Sequence, residues 1–134
     1  MRSVCIGAPG FRNVAHVVAA AGGDAVLDAT GRTSLQQLAA LLHEAQFLLT
    51  NDSGPMHLSV AAGTPVVALF GPTDPARIGP YGAGHEVVQV PVECAPCSKR
   101  DCPEKLPCMA MLDVKTVTRA CERMLARLGA RSTQ

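Results

Sequence analysis

The chain has 134 residues, of which 48% are hydrophobic and only 3% aromatic, and its formal net charge is +1. This length fits one domain that buries about two-thirds of the surface its unfolded form exposes. A near-neutral charge argues against nucleic-acid binding and a membrane-surface role, because both normally need a concentrated basic face. No apolar run reaches the roughly 18 residues of a membrane span, and residues 1–20 lack the pattern of a signal peptide. We therefore expect a cytoplasmic protein.

Strands and helices alternate along the sequence. Short apolar runs predict strands at residues 4–6, 25–27, 47–49, 66–70 and 87–90. Helical periodicity predicts helices at residues 14–21, 35–45, 56–62 and 114–128, with a capping box at Ser34 and Gln37, an N-cap at Asp113, an end at Gly129 and a frayed tail at residues 130–134. Cys5 and Cys121 look like core residues. Such alternation predicts an α/β fold with a mostly parallel sheet and helices on both faces.

Two polar turns end neighbouring predicted strands and carry the clearest functional pattern. The first follows the strand at residues 47–49 and reads Asn-Asp-Ser-Gly-Pro-Met-His over residues 51–57; the second follows the strand at residues 66–70 and reads Gly-Pro-Thr-Asp-Pro over residues 71–75. Asp52 and Ser53 stand where a helix N-cap belongs, which would leave backbone N–H groups of the next turn aimed outward. Parallel strands would bring both turns to one sheet edge. The sequence therefore predicts an anion site between the two turns.

These motifs resemble the C-terminal domain of glycosyltransferase family 9, the ADP-heptose:lipopolysaccharide heptosyltransferases. The resemblance extends over Gly79-Pro80-Tyr81-Gly82, over the segment Thr-Gly-Arg-Thr-Ser-Leu at residues 30–35, and over Cys94-Ala95-Pro96-Cys97. It implies a Rossmann-like fold, part of a GT-B enzyme whose active site lies between two such domains. It also implies an inverting transferase of lipopolysaccharide core synthesis that needs no cofactor for its chemistry.

The resemblance implies donor-binding roles for nine residues of the two turns: Asn51, Asp52, Ser53, Gly54, Pro55, His57, Gly71, Pro72 and Thr73. Several of them have structural alternatives. Asp52 could serve only as an N-cap, His57 could bind a phosphate or sugar oxygen or only pin the Gly71 loop, and Thr73 could donate its hydroxyl to the donor or only shape a turn. No catalytic residue is assigned in this chain.

Other parts of the family pattern are not found. The family's acceptor-binding domain, and the first strand and basic loop of its C-terminal domain, would precede Met1. An acidic residue for the donor ribose is expected soon after Gly7, yet residues 7–23 contain none. We therefore expect residues 1–112 to form a donor-binding domain without its first strand, and residues 113–134 a C-terminal helix and tail. Such a chain would be inactive alone, and its uncovered apolar surface near residues 4–6 would favour a homodimer.

Four cysteines lie in a Pro-rich loop predicted over residues 91–107: Cys94, Cys97, Cys102 and Cys108. Their C-x2-C-x4-C-x5-C spacing would suit a structural Zn²⁺ site, since metal binding is more common than disulfides in a cytoplasmic protein. Free thiols and disulfides formed on handling are the alternatives.

Three functions remain open from the sequence. The first is the ADP-sugar-binding half of a heptosyltransferase, meeting a membrane only through a glycolipid acceptor; the others are a non-catalytic interaction module and a small cysteine-cluster metal protein. Loss of nucleotide binding on substitution of Asp52 or Gly54 would single out the first.

Overall fold

The structure is a computed structural model that describes residues 2–99 and 101–131. The chain divides into two compact units, Met1–Leu38 and Ala39–Gln134. The predicted boundary between residues 112 and 113 stays a prediction. No helix of the described ranges is long and apolar enough to cross a membrane.

The first unit is a β-α-β motif. Strand β1 (Ser3–Cys5) is followed by a 3-10 turn (Pro9–Phe11), helix α1 (Arg12–Gly22), a second 3-10 turn (Gly23–Ala25) and strand β2 (Val26–Asp28). The two strands are parallel, with Cys5 opposite Asp28. Helix α1 stops where Gly23 takes a φ of +53°, a left-handed conformation that glycine adopts at little cost. Each predicted strand is confirmed with a shift of one residue.

Helix α2 (Leu35–Glu44) begins with the predicted capping box. The Ser34 N–H donates to Gln37 Oε1 at 2.9 Å, and the Gln37 N–H donates to Ser34 Oγ at 3.2 Å. Two N–H groups that the first helical turn leaves without partners are thereby satisfied. The helix buries Leu42, whereas Leu35, predicted on the same apolar face, is 70% exposed.

The second unit contains a parallel sheet in the order β3-β4-β5. Strand β3 is Leu48–Asn51, β4 is Val66–Phe70 and β5 is Glu86–Gln89. Helix α3 (Gly54–Ala61) connects β3 to β4 and begins two residues before its predicted start. A short helix, α4 (Pro75–Ile78), follows β4 and is capped by Asp74, whose carboxylate accepts the Ala76 N–H.

Helices cover both faces of this sheet, as predicted. On one face Val66, Ala68 and Phe70 of β4 pack with Met56 of α3. On the other face Val67 and Val88 pack with Ala120 and Met124 of helix α6 (Val114–Arg131). Side chains alternate between the two faces of a strand, so β4 contributes to both cores and reads as a continuous apolar run. The predicted α/β class with mostly parallel strands is confirmed.

Polar contacts fix α6. Asp113 caps it: its Oδ1 accepts the Thr116 N–H at 2.7 Å. Glu86 of β5, whose side chain is 14% exposed, pairs with Arg123 at 2.9 Å and with Arg127. The Arg123 hydrogen bond is the main cause that lowers the pKa of Glu86, and the Arg127 contact acts in the same direction.

One sequence prediction in this region was wrong, and one short helix was not predicted. Helix α6 does not end at Gly129 but continues to Arg131, because a glycine ends a helix by turning left-handed and Gly129 does not have a positive φ; of the predicted frayed tail, residues 132–134 lie outside the described residues. The cysteine-rich segment also ends in a short helix, α5 (Pro107–Ala110), which was not predicted. Cys5 and Cys121, expected in the core, are half-buried, and Cys121 packs against the core cluster of Val67 and Met124.

Candidate functional site

The two polar turns meet at the carboxyl ends of β3 and β4. Asn51 lies opposite Leu69 in the parallel register, and the Asp52 N–H continues the ladder by donating to the Leu69 carbonyl at 3.2 Å. Because both strands run in the same direction, the residues after each of them emerge at one edge of the sheet. Ligands of open α/β sheets bind at this edge.

Ser53 is the N-cap residue of α3, but its side chain does not cap the helix. Its hydroxyl instead lies 3.0 Å from Thr50 Oγ1. Pro55 has no N–H, and the Met56 N–H donates a hydrogen bond to the Ser53 carbonyl at 3.1 Å. The N–H groups of Ser53 and Gly54 therefore remain without an acceptor among the described residues. The helix offers an anion two backbone donors and the positive end of its dipole, fewer donors than a full uncapped turn.

A side-chain hydrogen bond joins the two turns. Thr73 Oγ1 donates to Asp52 Oδ2 at 2.9 Å, and both residues are half-buried. Asp52 precedes the N-cap residue, so the N-cap role considered for it is wrong: its carboxylate holds the second turn instead. The Thr73 hydroxyl hydrogen is directed at Asp52, and the backbone N–H of Thr73 has no acceptor among the described residues.

The two glycines of the motifs have different surroundings. A Cβ placed on Gly54 would meet no atom within 4 Å apart from its chain neighbours and the backbone of its own helix, so the space beside the Gly54 Cα is open. A Cβ on Gly71 would lie 2.5 Å from Met109 Sδ and 3.3 Å from Cys108 Sγ. Gly71 is buried and lets α5 pack against the turn. The lack of a side chain at Gly71 thus serves packing, whereas no neighbouring atom would contact a side chain at Gly54.

Sequence reasoning missed the residues that hold the second turn. Gln89, the last residue of β5, donates through Nε2 to the carbonyls of Gly71 at 3.3 Å and Thr73 at 3.2 Å. The backbone N–H groups of Cys97 and Ser98 both donate to the Pro72 carbonyl at 2.8 Å. A polar residue ending the third strand at the same sheet edge was the available signal for Gln89. The backbone donors left no signal in the sequence.

His57 and Asn51 lie at the rim. Both are exposed, and the Asn51 carbonyl accepts the Thr50 hydroxyl at 3.0 Å. The His57 side chain makes no hydrogen bond in the part of the chain that the structure describes, and Gln89 and residues 97–98 do the pinning that was considered for it. A ligand role for His57 stays a prediction.

The four loop cysteines have different environments. Cys94 is exposed, Cys97 and Cys102 are half-buried, and Cys108 is buried against Gly71. Cys102 Sγ accepts the Leu106 N–H at 3.3 Å. Among the described residues no three His, Cys, Asp or Glu side chains are grouped as metal ligands. The zinc site therefore stays a prediction. In α6, burial raises the pKa of the Cys121 thiol.

The first unit carries an acid at the carboxyl end of β2. Asp28 Oδ1 accepts the Thr30 N–H at 2.9 Å. That hydrogen bond, with the charges of Arg32 and Arg12, lowers the pKa of Asp28. The expected acid after Gly7 is absent, but Asp28 stands opposite Cys5, two residues before Gly7, on the adjacent strand.

Comparisons with known proteins agree with these motifs. The sequence profile of glycosyltransferase family 9 (heptosyltransferase) matches residues 9–107. The lipooligosaccharide heptosyltransferase 2 of Campylobacter jejuni is 32% identical over 96 residues, which are 70% of this chain and 30% of the relative. The lipopolysaccharide core heptosyltransferase OpsX of Haemophilus influenzae is 42% identical over 60 residues, 45% of this chain and 17% of that protein.

The fold is similar to that of a solved structure from the same family. The glycosyl transferase family 9 protein from Veillonella parvula superposes with a TM-score of 0.76 at 28% identity, covering 94% of this chain and 37% of that one. The chain therefore spans well under half the length of the relatives that it matches. With a family profile covering most of its residues, the chain belongs to glycosyltransferase family 9.

Proposed function

We propose that this chain is the sugar-nucleotide-binding half of an inverting heptosyltransferase that acts in lipopolysaccharide core synthesis. The observation that carries the proposal is the hydrogen bond between Thr73 and Asp52, which joins two Gly-containing turns beside the uncapped start of α3. Its donor is an ADP-sugar of the ADP-heptose type, and Asn51, Pro55 and His57 line the entrance to the site.

The two turns act on the leaving group. In the transfer, an acceptor hydroxyl attacks the anomeric carbon, the bond from that carbon to the diphosphate breaks, and ADP departs with the electron pair. The N–H groups of Ser53 and Gly54, with the α3 dipole, stabilise the negative charge that develops on the diphosphate. The remaining oxygen of Asp52 accepts a hydrogen bond from a donor hydroxyl. The base that takes the acceptor proton belongs to an acceptor-binding domain outside these 134 residues, so these residues alone bind the donor without transferring the sugar.

The partners follow from this assignment. The acceptor is a glycolipid, through which the enzyme meets the membrane from the cytoplasm. A homodimer is supported by apolar side chains that stay exposed in the first unit: Val14 is 63% exposed, Val17 67% and Leu27 60%. Sedimentation should detect dimers at high concentration, and a strict monomer would contradict this part of the proposal.

Titration with ADP tests the donor site. Backbone amides of Ser53, Gly54 and Thr73 should shift in NMR spectra, and calorimetry should show a Kd at least about tenfold weaker for Asp52→Ala, the equivalent of about 1.4 kcal/mol. Asp24→Ala, which removes an exposed acid of the first unit, is the matched control and should bind ADP like the wild type. Amide shifts confined to residues 94–108 would instead favour the cysteine-cluster protein.

A further inference from the structure

The carbonyls of the first three residues of the second turn accept hydrogen bonds from outside that turn. We name residues 71–73 the donor turn. The first and third carbonyls accept hydrogen bonds from Gln89 Nε2 at 3.3 Å and 3.2 Å, and the middle one, on Pro72, accepts the N–H groups of Cys97 and Ser98 at 2.8 Å each. The carbonyl oxygens of the donor turn therefore point toward β5 and toward the Pro-rich loop of residues 91–107, which we name the cysteine loop.

Peptide geometry converts this into an orientation for the opposite side. In a trans peptide the C=O of one residue and the N–H of the next point in opposite directions. Because the Pro72 carbonyl is hydrogen-bonded to the cysteine loop, the Thr73 N–H points away from that loop. Because the Thr73 carbonyl is hydrogen-bonded to Gln89, the Asp74 N–H points away from Gln89. The N–H groups of Thr73 and Asp74 therefore point away from the groups that hold the carbonyls, and the Asp52 carboxylate lies beside Thr73. Donors fixed before a ligand arrives need no reorganisation when it binds.

We propose that Gln89 is a positioning residue for the donor site. The backbone N–H groups of residues 97–98 are the second set of contacts that hold the donor turn in place. This inference rests on the proposed function and gives the cysteine loop a role in it. The loop holds the donor turn through backbone hydrogen bonds, so a change in its conformation changes the direction of the Thr73 N–H. Gln89 acts through the donor turn and does not touch the donor.

The variant Gln89→Met tests this positioning role, because methionine keeps the length of the side chain and removes the amide donor. Gln36→Met makes the same change at an exposed position of α2. In Gln89→Met, hydrogen exchange of the Cys97 and Ser98 amides should accelerate about tenfold. The Kd for ADP should rise about fivefold because the donor turn is no longer held by Gln89. Gln36→Met should change neither.

A site-resolved readout separates positioning from general loosening. In the wild type, ADP should shift the amides of Ser53 and Gly54 as well as those of Thr73 and Asp74. In Gln89→Met the shifts at Thr73 and Asp74 should fall by at least half, while those at Ser53 and Gly54 persist. Undiminished shifts at Thr73 and Asp74 would overturn the inference, as would loss of all four shifts together, which indicates general loosening.

Failure of the proposed function looks different. If ADP shifts no amide of the wild type, the assignment of the donor site is refuted. Hydrogen exchange of the Cys97 and Ser98 amides then tests only whether Gln89 holds the donor turn. Unchanged exchange in Gln89→Met would then refute it, and faster exchange would support it.

Discussion

Gly54→Ala separates ligand space from protein packing. A Cβ at this position meets no protein atom within 4 Å, and Gly54 has no positive φ, so alanine fits without strain. Alanine should leave stability unchanged or raise it, by at most the roughly 0.5–1 kcal/mol that separates glycine from alanine inside a helix. Side chains in a helix lean toward its N-terminus, so the new methyl group enters the space before α3.

The same methyl group should weaken donor binding. If the diphosphate accepts the Ser53 and Gly54 N–H groups, displacing it weakens charged hydrogen bonds worth about 1.5–3 kcal/mol each. Loss of one such bond is about a tenfold to 150-fold rise in the Kd for ADP. Calorimetry and thermal unfolding measure the two effects separately.

Gly129→Ala is the control for this experiment, since a Cβ there also meets nothing within 4 Å and the position lies in α6. It should leave the Kd for ADP unchanged. An ADP affinity for Gly54→Ala within twofold of the wild type would refute the approach of a diphosphate to α3. A clear loss of thermal stability would refute the open space in front of the helix.

Other perturbations test the scaffold and the cysteine loop. Because the pKa of Glu86 is lower in the folded state, its pairing with Arg123 stabilises the fold above about pH 4.5 and is lost as pH falls through the folded pKa. Glu86→Gln should cost about 1 kcal/mol in urea unfolding at pH 7, and the cost should shrink as the pH falls below about 4.5. Asp113→Ala removes the α6 cap and should lower stability by about 1 kcal/mol in the same assay. Alkylation of Cys97 should weaken ADP binding, and Cys97→Ser should remove that sensitivity to alkylation. Persistent sensitivity in the variant would contradict a link between the loop at Cys97 and the donor site. Zinc bound by the loop thiols should protect even exposed Cys94 from alkylation, with about one equivalent by metal analysis, and an unprotected Cys94 would exclude it as a ligand.

Local patterns predicted much of the secondary structure. Strand β4 was predicted at its observed bounds, because a strand covered on both faces reads as an uninterrupted apolar run. The capping box of Ser34 and Gln37 and the cap at Asp113 were also predicted, since each partner lies within three residues of the other. Helix ends were less accurate where glycine was the guide: Gly23 turns left-handed and ends α1, whereas Gly129 does not and α6 continues.

The sequence by itself determined the family through its motifs and the α/β plan through the alternation of strand and helix patterns, because short apolar runs and helix starts depend on residues close together in the chain. Only the tertiary structure decided what holds those turns. The bond from Thr73 to Asp52 joins residues 21 positions apart, and Gln89 reaches the same turn from β5. Gly54 and Gly71 look alike as motif residues, yet one faces open space and the other packs under α5. Contacts of this kind depend on which strands become neighbours in the fold, and the local conformational preferences of the residues do not encode that pairing.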